Sequence, residues 1–146
     1  MQLANASIGK TIPVTIETVT KAYAILANKG HLFPENSGSI ISESTANSVT
    51  NMLVETVDHG TGKRAALTGK QVAGKTGTLD DPQRPSSSLA LFGGYVPANA
   101  PRFVAFVVIE DGHGIGEAET EMASGGAVAA PVFHDVAKNS LVVLSK

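Results

Sequence analysis

The residues best suited to chemistry lie in GKQVAGKTGT, residues 69–78, a stretch that fits two incompatible functional patterns. Its first eight residues satisfy G-x-x-x-x-G-K-[ST], the pattern of a loop that binds nucleotide phosphates. Its last four residues, Lys75 to Thr78, combine a lysine with two hydroxyls. A point charge beside hydrogen-bond donors suits a substrate carboxylate. The simpler alternative is a surface strand that carries a solvated lysine.

The flanking residues decide between the two patterns. A phosphate-binding loop lies between a buried strand and a helix whose first N–H groups bind the phosphates. Here the preceding GTGKRAALT is polar and basic, and the following GTLDDPQRP contains two aspartates and two prolines, which would not sustain a helix. The segment FVVIED, residues 106–111, resembles a magnesium-binding strand end only superficially. We therefore predict a strand rather than a nucleotide site.

The predicted strand constrains how its side chains can share one site. Gly74 and Gly77 flank Lys75 and Thr76, and they leave room for the backbone of a ligand. Successive side chains of a regular strand point to opposite faces, so we expect Lys75 and Thr78 on different faces. If both serve one site, one of them acts through its backbone or the strand is irregular near Gly77.

Hydrophobic periodicity predicts the elements that position this strand. Helices are expected at residues 15–29, 43–58 and 127–144, and strands at 71–79, 89–96 and 103–110. Thr15 and Ser42 are suited to begin the first two helices, and Gly30 and Gly60 to end them. The inward faces of the second and third helices are predicted to comprise Val49, Met52, Leu53, Thr56 and Val57, and then Val128, Val132, Val136, Leu141 and Leu144.

The segments between these elements indicate how the strands connect. Residues 31–41 are turn-rich and suggest a small hairpin, while 80–87 and 111–124 read as loops. The strand FVAFVVIE, residues 103–110, is apolar almost throughout, which predicts burial on both faces. Short connections between the three strands favour an antiparallel meander. The predicted fold class is α+β, an antiparallel sheet of about three strands with flanking helices in one domain.

Composition excludes several classes of function. A net charge of −2 provides no basic field for nucleic acid, and the absence of cysteine excludes thiolate catalysis and disulfides. We find no apolar run of about 18 residues and no signal peptide, so membrane attachment is expected only through a segment outside this chain. No metal or cofactor is predicted, because no metal-ligand spacing connects the histidines, which are His31, His59, His113 and His134.

Six segments occur in a consistent order along nearly all 146 residues: SIGKTIPVT, AYAILANKG, GTGKRA, VAGKTGT, FGGYVPANAPRFVAFVVIE and GGAVAAPVFHDVA. Together they resemble the C-terminal part of the transpeptidase domain of class B penicillin-binding proteins, the division-type D,D-transpeptidases. The resemblance implies that residues 1–146 form the C-terminal part of a penicillin-binding protein/β-lactamase-like transpeptidase fold. VAGKTGT then corresponds to the KTG motif of that family.

The resemblance also implies a chemistry. Such enzymes attack the D-Ala-D-Ala carbonyl of a peptidoglycan stem peptide with a serine, and β-lactams acylate the same serine. Lys75 would lend positive charge near the serines and the substrate carboxylate, and Thr76 would hydrogen-bond that carboxylate. Gly77 would permit close approach, and Thr78 would supply a backbone N–H to the oxyanion hole. The peptide would lie along the strand as an added strand.

Two of the three motifs that this family needs are not convincingly present. Ser7 and Lys10 fit the nucleophile motif S-x-x-K, but Gly9 between them and Pro13 after them argue against the required helix. No S-x-N occurs, and STANSVTN, residues 44–51, has its residue types at the wrong spacing. The chain alone is therefore expected to be an inactive fragment of an enzyme; the alternative is a ligand-binding or interaction fragment of the same fold.

The expected partners follow from the same resemblance. They are the stem peptide and β-lactams, together with the missing N-terminal half of the domain or a second copy of this chain. The parent protein is expected in the cell envelope, at the extracytoplasmic (periplasmic) face of the cytoplasmic membrane.

Overall fold

The computed structural model of the chain describes residues 13–32, 38–81, 84–110 and 124–144. Its elements in chain order are α1 (Ile16–Ala27), α2 (Glu43–Asp58), a 3-10 turn (Lys63–Ala65), β1 (Ala73–Asp81), β2 (Arg84–Val96), β3 (Phe103–Glu110), a π-helical turn (Gly125–Ala129) and α3 (Ala130–Leu144). The strands form one antiparallel sheet in the order β1-β2-β3. The predicted α+β class and meander are confirmed.

Side-chain caps begin the first two helices at the predicted residues. The Thr15 hydroxyl accepts from the N–H of Thr18 at 3.1 Å, which caps α1. The Ser42 hydroxyl accepts from the N–H of Thr45 at 3.1 Å, and α2 matches its predicted bounds. Helix α1 ends two residues before its predicted end, because the chain turns into the left-handed region at φ 53° for Lys29.

The turn-rich segment after α1 closes as the predicted small hairpin at its base. His31 pairs with Ser39 in an antiparallel bridge, and the Leu32 N–H donates to the Gly38 carbonyl at 3.1 Å. Residues 33–37 lie outside the described part of the chain.

The inward face of α2 differs from the predicted one. Ala46, Val54 and Val57 are buried, whereas Met52, which was predicted to face inward, is 67% exposed. The buried residues recur at spacings of eight and three along the chain, so the buried face of α2 is rotated to one side of the predicted inward face. Val57 is buried as predicted, but the hydrophobic contrast along ESTANSVTNMLVETVD is too weak to show that Ala46 and Val54 are buried and that Met52 is not.

The predicted loop at 80–87 is wrong, because strand pairing continues through most of it. The β1–β2 register runs without interruption from Ala73↔Tyr95 to Asp80↔Ser88, and after an irregularity Asp81 pairs with Arg84. Pairing between β2 and β3 begins only at Leu89↔Glu110. The proline-containing start of β2 therefore has one strand neighbour among the described residues, and a proline on such a stretch need not interrupt the ladder.

Strand β3 has the predicted bounds, but it is less buried than its apolar sequence suggests. Helices contact both of its faces: Phe106 lies 6.3 Å from the ring of Tyr23 in α1, and Phe103 lies 6.0 Å from the ring of Phe133 in α3. Residues 103–109 nevertheless stay half-buried. These residues are only half-buried because β3 lies at an edge of the described sheet.

The main core lies between α3 and one face of the sheet. Phe133 is fully buried and stacks on Phe92 with ring centroids 4.8 Å apart. Val136 and Leu144, both predicted to face inward, are 46% and 42% exposed. The helical segment begins at Gly125 with a π turn rather than at residue 127, and a π turn shifts the phase of the face that follows.

The helical segment Gly125–Leu144 is long and apolar enough to cross a membrane when judged by length and composition alone. Its residues Phe133 and Ala137 are instead fully buried in the core. Packing of this kind identifies a core helix of the domain.

Candidate functional site

Strand β1 carries the KTGT residues with a regular pleat. Lys75 pairs with Gly93, Thr76 with Phe92 and Thr78 with Ala90. No irregularity occurs at Gly77, since register shifts only between Asp80 and Asp81. The expectation that Lys75 and Thr78 point to opposite faces is thus confirmed, and a bulge does not bring them together.

The hydroxyls of Thr76 and Thr78 lie on the face that also carries α3. Their strand partners Phe92 and Ala90 are fully buried in the core beneath that helix. The threonines themselves lie on β1, at the free edge of the described sheet, where Thr78 is exposed and Thr76 is half-buried. Two hydroxyls separated by one glycine therefore stand side by side at an accessible edge.

The loop after α2 holds the hydroxyl of Thr76. Thr61 Oγ1 lies 2.6 Å from Thr76 Oγ1, a short hydrogen bond between two hydroxyls. The N–H groups of Gly60 and Gly62 both donate to the carbonyl of Thr56, at 3.1 and 3.0 Å, which anchors the loop to the end of α2. Helix α2 thereby determines the orientation of a hydroxyl on β1.

The π turn that precedes α3 holds Thr78 in the same way. The N–H of Gly125 donates to Thr78 Oγ1 at 3.2 Å, and Ser124 caps the turn. A β-carbon on Gly125 would come within 2.5 Å of the Gly77 carbonyl and closer still to that of Leu91. Only glycine permits this approach of the turn to the strand.

These groups enclose a pocket of about 340 Å³ beside the strand. Two cationic side chains, Lys63 and Arg64, lie at its wall, and among the residues that the structure describes no acidic side chain lines it. Arg64 is held by a 3.2 Å hydrogen bond from its guanidinium to the Ala127 carbonyl. The other lining residues are Thr61, Thr76, Thr78, Ser124, Gly126 and Ala127. Hydroxyl donors, two cations and the first turn of a helix together favour an anion.

Lys75 belongs to the other face and does not line this pocket. Its side chain is exposed, and Nζ donates to the Thr76 carbonyl at 3.0 Å. A β-carbon on Gly93, its partner on β2, would collide with the ring of Tyr23, which identifies this face as the one that α1 covers. The lysine and the hydroxyls can therefore act on different parts of one ligand that crosses the strand edge.

Other sequence-derived candidates are not drawn into the site. Ser7 and Lys10 lie outside the described residues, as do His113 and the other residues of the predicted loop up to residue 123. His134 packs against the chain through a 2.7 Å contact between Nδ1 and the Ala66 carbonyl, and His59 lies 3.8 Å from Glu55 on the surface. Within the described part of the chain, no group of three metal-ligating side chains occurs.

Sequence reasoning missed the supporting residues of the site. Thr61 and Gly125 each bond to a KTGT hydroxyl, and Lys63 and Arg64, which were noted only as part of a polar and basic segment, line the pocket. The available signal was the short run GTGKRA, a flexible turn followed by two cations, just upstream of the strand. Gly125 carried no local signal, because its role depends on a strand about fifty residues earlier.

Comparison with known proteins agrees with this fold. The family described as penicillin binding protein transpeptidase domain matches residues 1–138. The chain belongs to this family of transpeptidase domains.

Two relatives show how much of the chain is matched by known proteins. It is 31% identical to stage V sporulation protein D of Bacillus subtilis over 88% of this chain and 18% of the relative. It is 29% identical to the probable peptidoglycan D,D-transpeptidase PenA of Neisseria meningitidis over 99% of this chain and 26% of the relative.

Solved structures extend the likeness to the fold. The transpeptidase domain of the FtsI4 D,D-transpeptidase from Legionella pneumophila superposes with a TM-score of 0.87 at 51% identity, covering 96% of this chain and 51% of that one. The transpeptidase domain of penicillin-binding protein 3 from Burkholderia pseudomallei gives 0.82 at 29% identity, covering 97% and 46%. The chain spans about half the length of these structures and about a fifth to a quarter of the curated relatives.

Proposed function

We propose that this chain supplies one wall of the active site of a serine D,D-transpeptidase that cross-links peptidoglycan stem peptides. The observation that carries the proposal is the pair of hydroxyls of Thr76 and Thr78, which line an electropositive pocket at a free strand edge. A terminal carboxylate of D-Ala-D-Ala, or the carboxylate of a β-lactam, is an anion that this pocket can accept.

The geometry supports a division of roles among the KTGT residues. Thr76, held by Thr61, would donate to the carboxylate, while Lys75 would lend positive charge on the other face, toward serines that this chain does not supply. The Thr78 N–H would serve the oxyanion hole, a donor worth about 2.7–4 kcal/mol of barrier. Gly77 between them would admit the backbone of the substrate.

The free edge of β1 supports the mode of binding. β1 has β2 as its one neighbour among the described strands, so its outer edge can pair with an extended peptide. Main-chain hydrogen bonds along the edge would align the peptide, and the pocket would fix its carboxyl end.

We further propose that residues 1–146 act as the C-terminal part of the catalytic domain and do not acylate alone. The sequence contains no S-x-N, and the only S-x-x-K candidate includes Gly9. The missing half of the domain would provide the nucleophile, and the parent protein would work at the extracytoplasmic (periplasmic) face of the cytoplasmic membrane, attached through a segment outside these residues. Non-covalent binding by a catalytically inactive fragment is the alternative.

A titration of the ¹⁵N-labelled chain with acetyl-D-alanyl-D-alanine tests the proposed wall. The amide signals of Thr76, Gly77 and Thr78 are expected to shift, because the carboxylate binds beside them. Thr76→Val removes a hydrogen bond to a charged group and should weaken binding by about tenfold or more. Thr56→Val is the matched control, since that hydroxyl bonds within α2 to the Met52 carbonyl. Shifts that spare these amides, or equal affinity in Thr76→Val, would refute the assignment.

Fluorescent penicillin tests the catalytic part separately. The 146-residue chain is expected to show no covalent label after denaturing electrophoresis, because the nucleophile motif is absent. Label on this chain would overturn the fragment account and would redirect attention to Ser7.

A further inference from the structure

A second and larger pocket lies at the end of the sheet where β1 begins and β2 ends. Its volume is about 530 Å³, which is within the range of sites that hold drug-sized ligands. Its walls come from the bridge segment 67–70, the turn 97–102 and the last two turns of α3. None of its lining residues lines the pocket of Thr76 and Thr78, so the two sites are separate.

Much of this pocket is apolar. Leu67 and Leu141 are half-buried at its base, and α3 adds Val142 and Leu144, which are 60% and 42% exposed. Apolar surface in water costs about 25 cal/mol per Å². A ligand that brings a hydrocarbon group to this concave surface would remove that cost, whereas a fully hydrated ion would not.

The rim of the pocket carries three cations. Lys70, Arg102 and Lys138 come from three different parts of the chain, and within the described ranges no residue that lines the pocket is acidic. Among the described residues, none of the three takes part in an ion pair. Arg102 donates to the Leu144 carbonyl at 2.9 Å, which leaves most of its five N–H donors for a further acceptor. The pocket thus combines an apolar floor with a hydrogen-bonded guanidinium and two exposed ammonium groups.

We infer that this pocket binds an amphiphilic anion, a single hydrocarbon chain that ends in one carboxylate or phosphate group. The hydrocarbon would lie on the leucine and valine side chains, and the head group would accept hydrogen bonds from Arg102 with Lys70 and Lys138 beside it. Guanidinium groups suit both head groups because they can bind two oxygens at once. The inference does not depend on the proposed transpeptidase role, since it concerns a different surface.

Isothermal titration calorimetry with the full chain tests the inference, using decanoate and decyl phosphate below their micelle concentrations. Both are expected to bind, because each supplies the hydrocarbon and the anion. Acetate lacks the hydrocarbon and decyltrimethylammonium has the opposite charge, so each should bind at least about tenfold more weakly. Rising salt should weaken decanoate binding, as it screens the exposed cations.

Two variants test separately how the charge and the apolar floor contribute to binding. Lys138→Glu reverses an exposed charge and should weaken decanoate by about fivefold or more. Ala100→Trp fills the pocket from an exposed position and should abolish binding while circular dichroism remains unchanged. Lys21→Gln, an exposed lysine of α1 outside the pocket, is the matched control. Decyltrimethylammonium binding as tightly as decanoate, or wild-type affinity in both pocket variants, would overturn the inference.

Discussion

Replacing Phe133 by alanine is expected to cause a large loss of stability, because this ring connects α3 to the strand that supports the site. Phe133 is fully buried, stacks on Phe92 at 4.8 Å and lies 6.0 Å from the ring of Phe103. Phe92 is the strand partner of Thr76. Removing the ring therefore opens a cavity directly beneath the hydroxyl-bearing part of β1.

The magnitude follows from the burial and from the two ring contacts. A buried phenylalanine removes roughly 150–250 Å² from water, worth about 4–6 kcal/mol at 25 cal/mol per Å², and denatured-state compactness lowers that value. Measured Phe→Ala changes in cores are about 3–5 kcal/mol. We expect a loss in this range, which is a large share of the 5–15 kcal/mol typical of a domain.

Urea unfolding followed by far-ultraviolet circular dichroism measures this loss. Val136→Ala is the matched control, because Val136 lies one turn further along the same helix and is 46% exposed. The expected loss there is below about 1 kcal/mol. The hydrophobic pattern of the sequence had instead placed Val136 on the inward face of this helix. A Val136→Ala loss as large as that of Phe133→Ala would refute the packing described for α3.

Three further outcomes are expected. Gly125→Ala should cost about 1–3 kcal/mol, since its β-carbon would collide with the Gly77 carbonyl; an unchanged urea midpoint would contradict this. Burial, and then the charge of Tyr95, raises the pKa of Tyr23 to about 12, so the folded state holds this proton between pH 10 and 12 while the unfolded state releases it. Stability should therefore be complete below pH 10, and Tyr23 should contribute a fall of up to roughly 2.7 kcal/mol as pH rises through 12. Burial also raises the pKa of Tyr95, so Tyr23→Phe should reduce the fall, and an equal fall in that variant would exclude Tyr23 as its source. A Thr50→Val, Tyr95→Phe cycle should show coupling of about 0.5–1.5 kcal/mol from their 2.6 Å hydrogen bond, and additive losses would contradict it.

The separation of Lys75 from the threonine hydroxyls bears on how the proposed site would work. A site that used all three groups on one carboxylate would need a bulge, and the register contains none at Gly77. With the regular pleat, the pocket side can hold a carboxylate while the lysine side faces a different group. The proposed catalytic serines of the missing half would belong on that lysine side.

Local signals were sufficient for several elements. Thr15 and Ser42 carry capping hydroxyls whose effect depends only on the next three residues, so both helix starts were predictable. Strand β3 is a long apolar run of β-forming residues, and its bounds matched. The regular alternation of KTGT gave the opposite faces of Lys75 and Thr78 before any partner was known.

Other features depend on contacts between distant parts of the chain. The prolines near residue 82 predicted a loop, yet the β1–β2 ladder extends to the pair Asp81↔Arg84. The inward face of α3 follows from a π turn that is stabilised by Ser124 and by packing on β1, and a periodicity of 3.6 residues does not include such a turn.

The sequence by itself determined that KTGT lies on a strand and not on a phosphate loop, because the residues after Thr76 would not sustain a helix. Tertiary structure alone decided what surrounds that strand. Thr61 and Gly125 reach the two hydroxyls only after the loop that follows α2 and the π turn pack beside the strand. The physical reason is range: strand formation and helix capping depend on neighbours in sequence, whereas a pocket is formed by residues that only the packed core brings together.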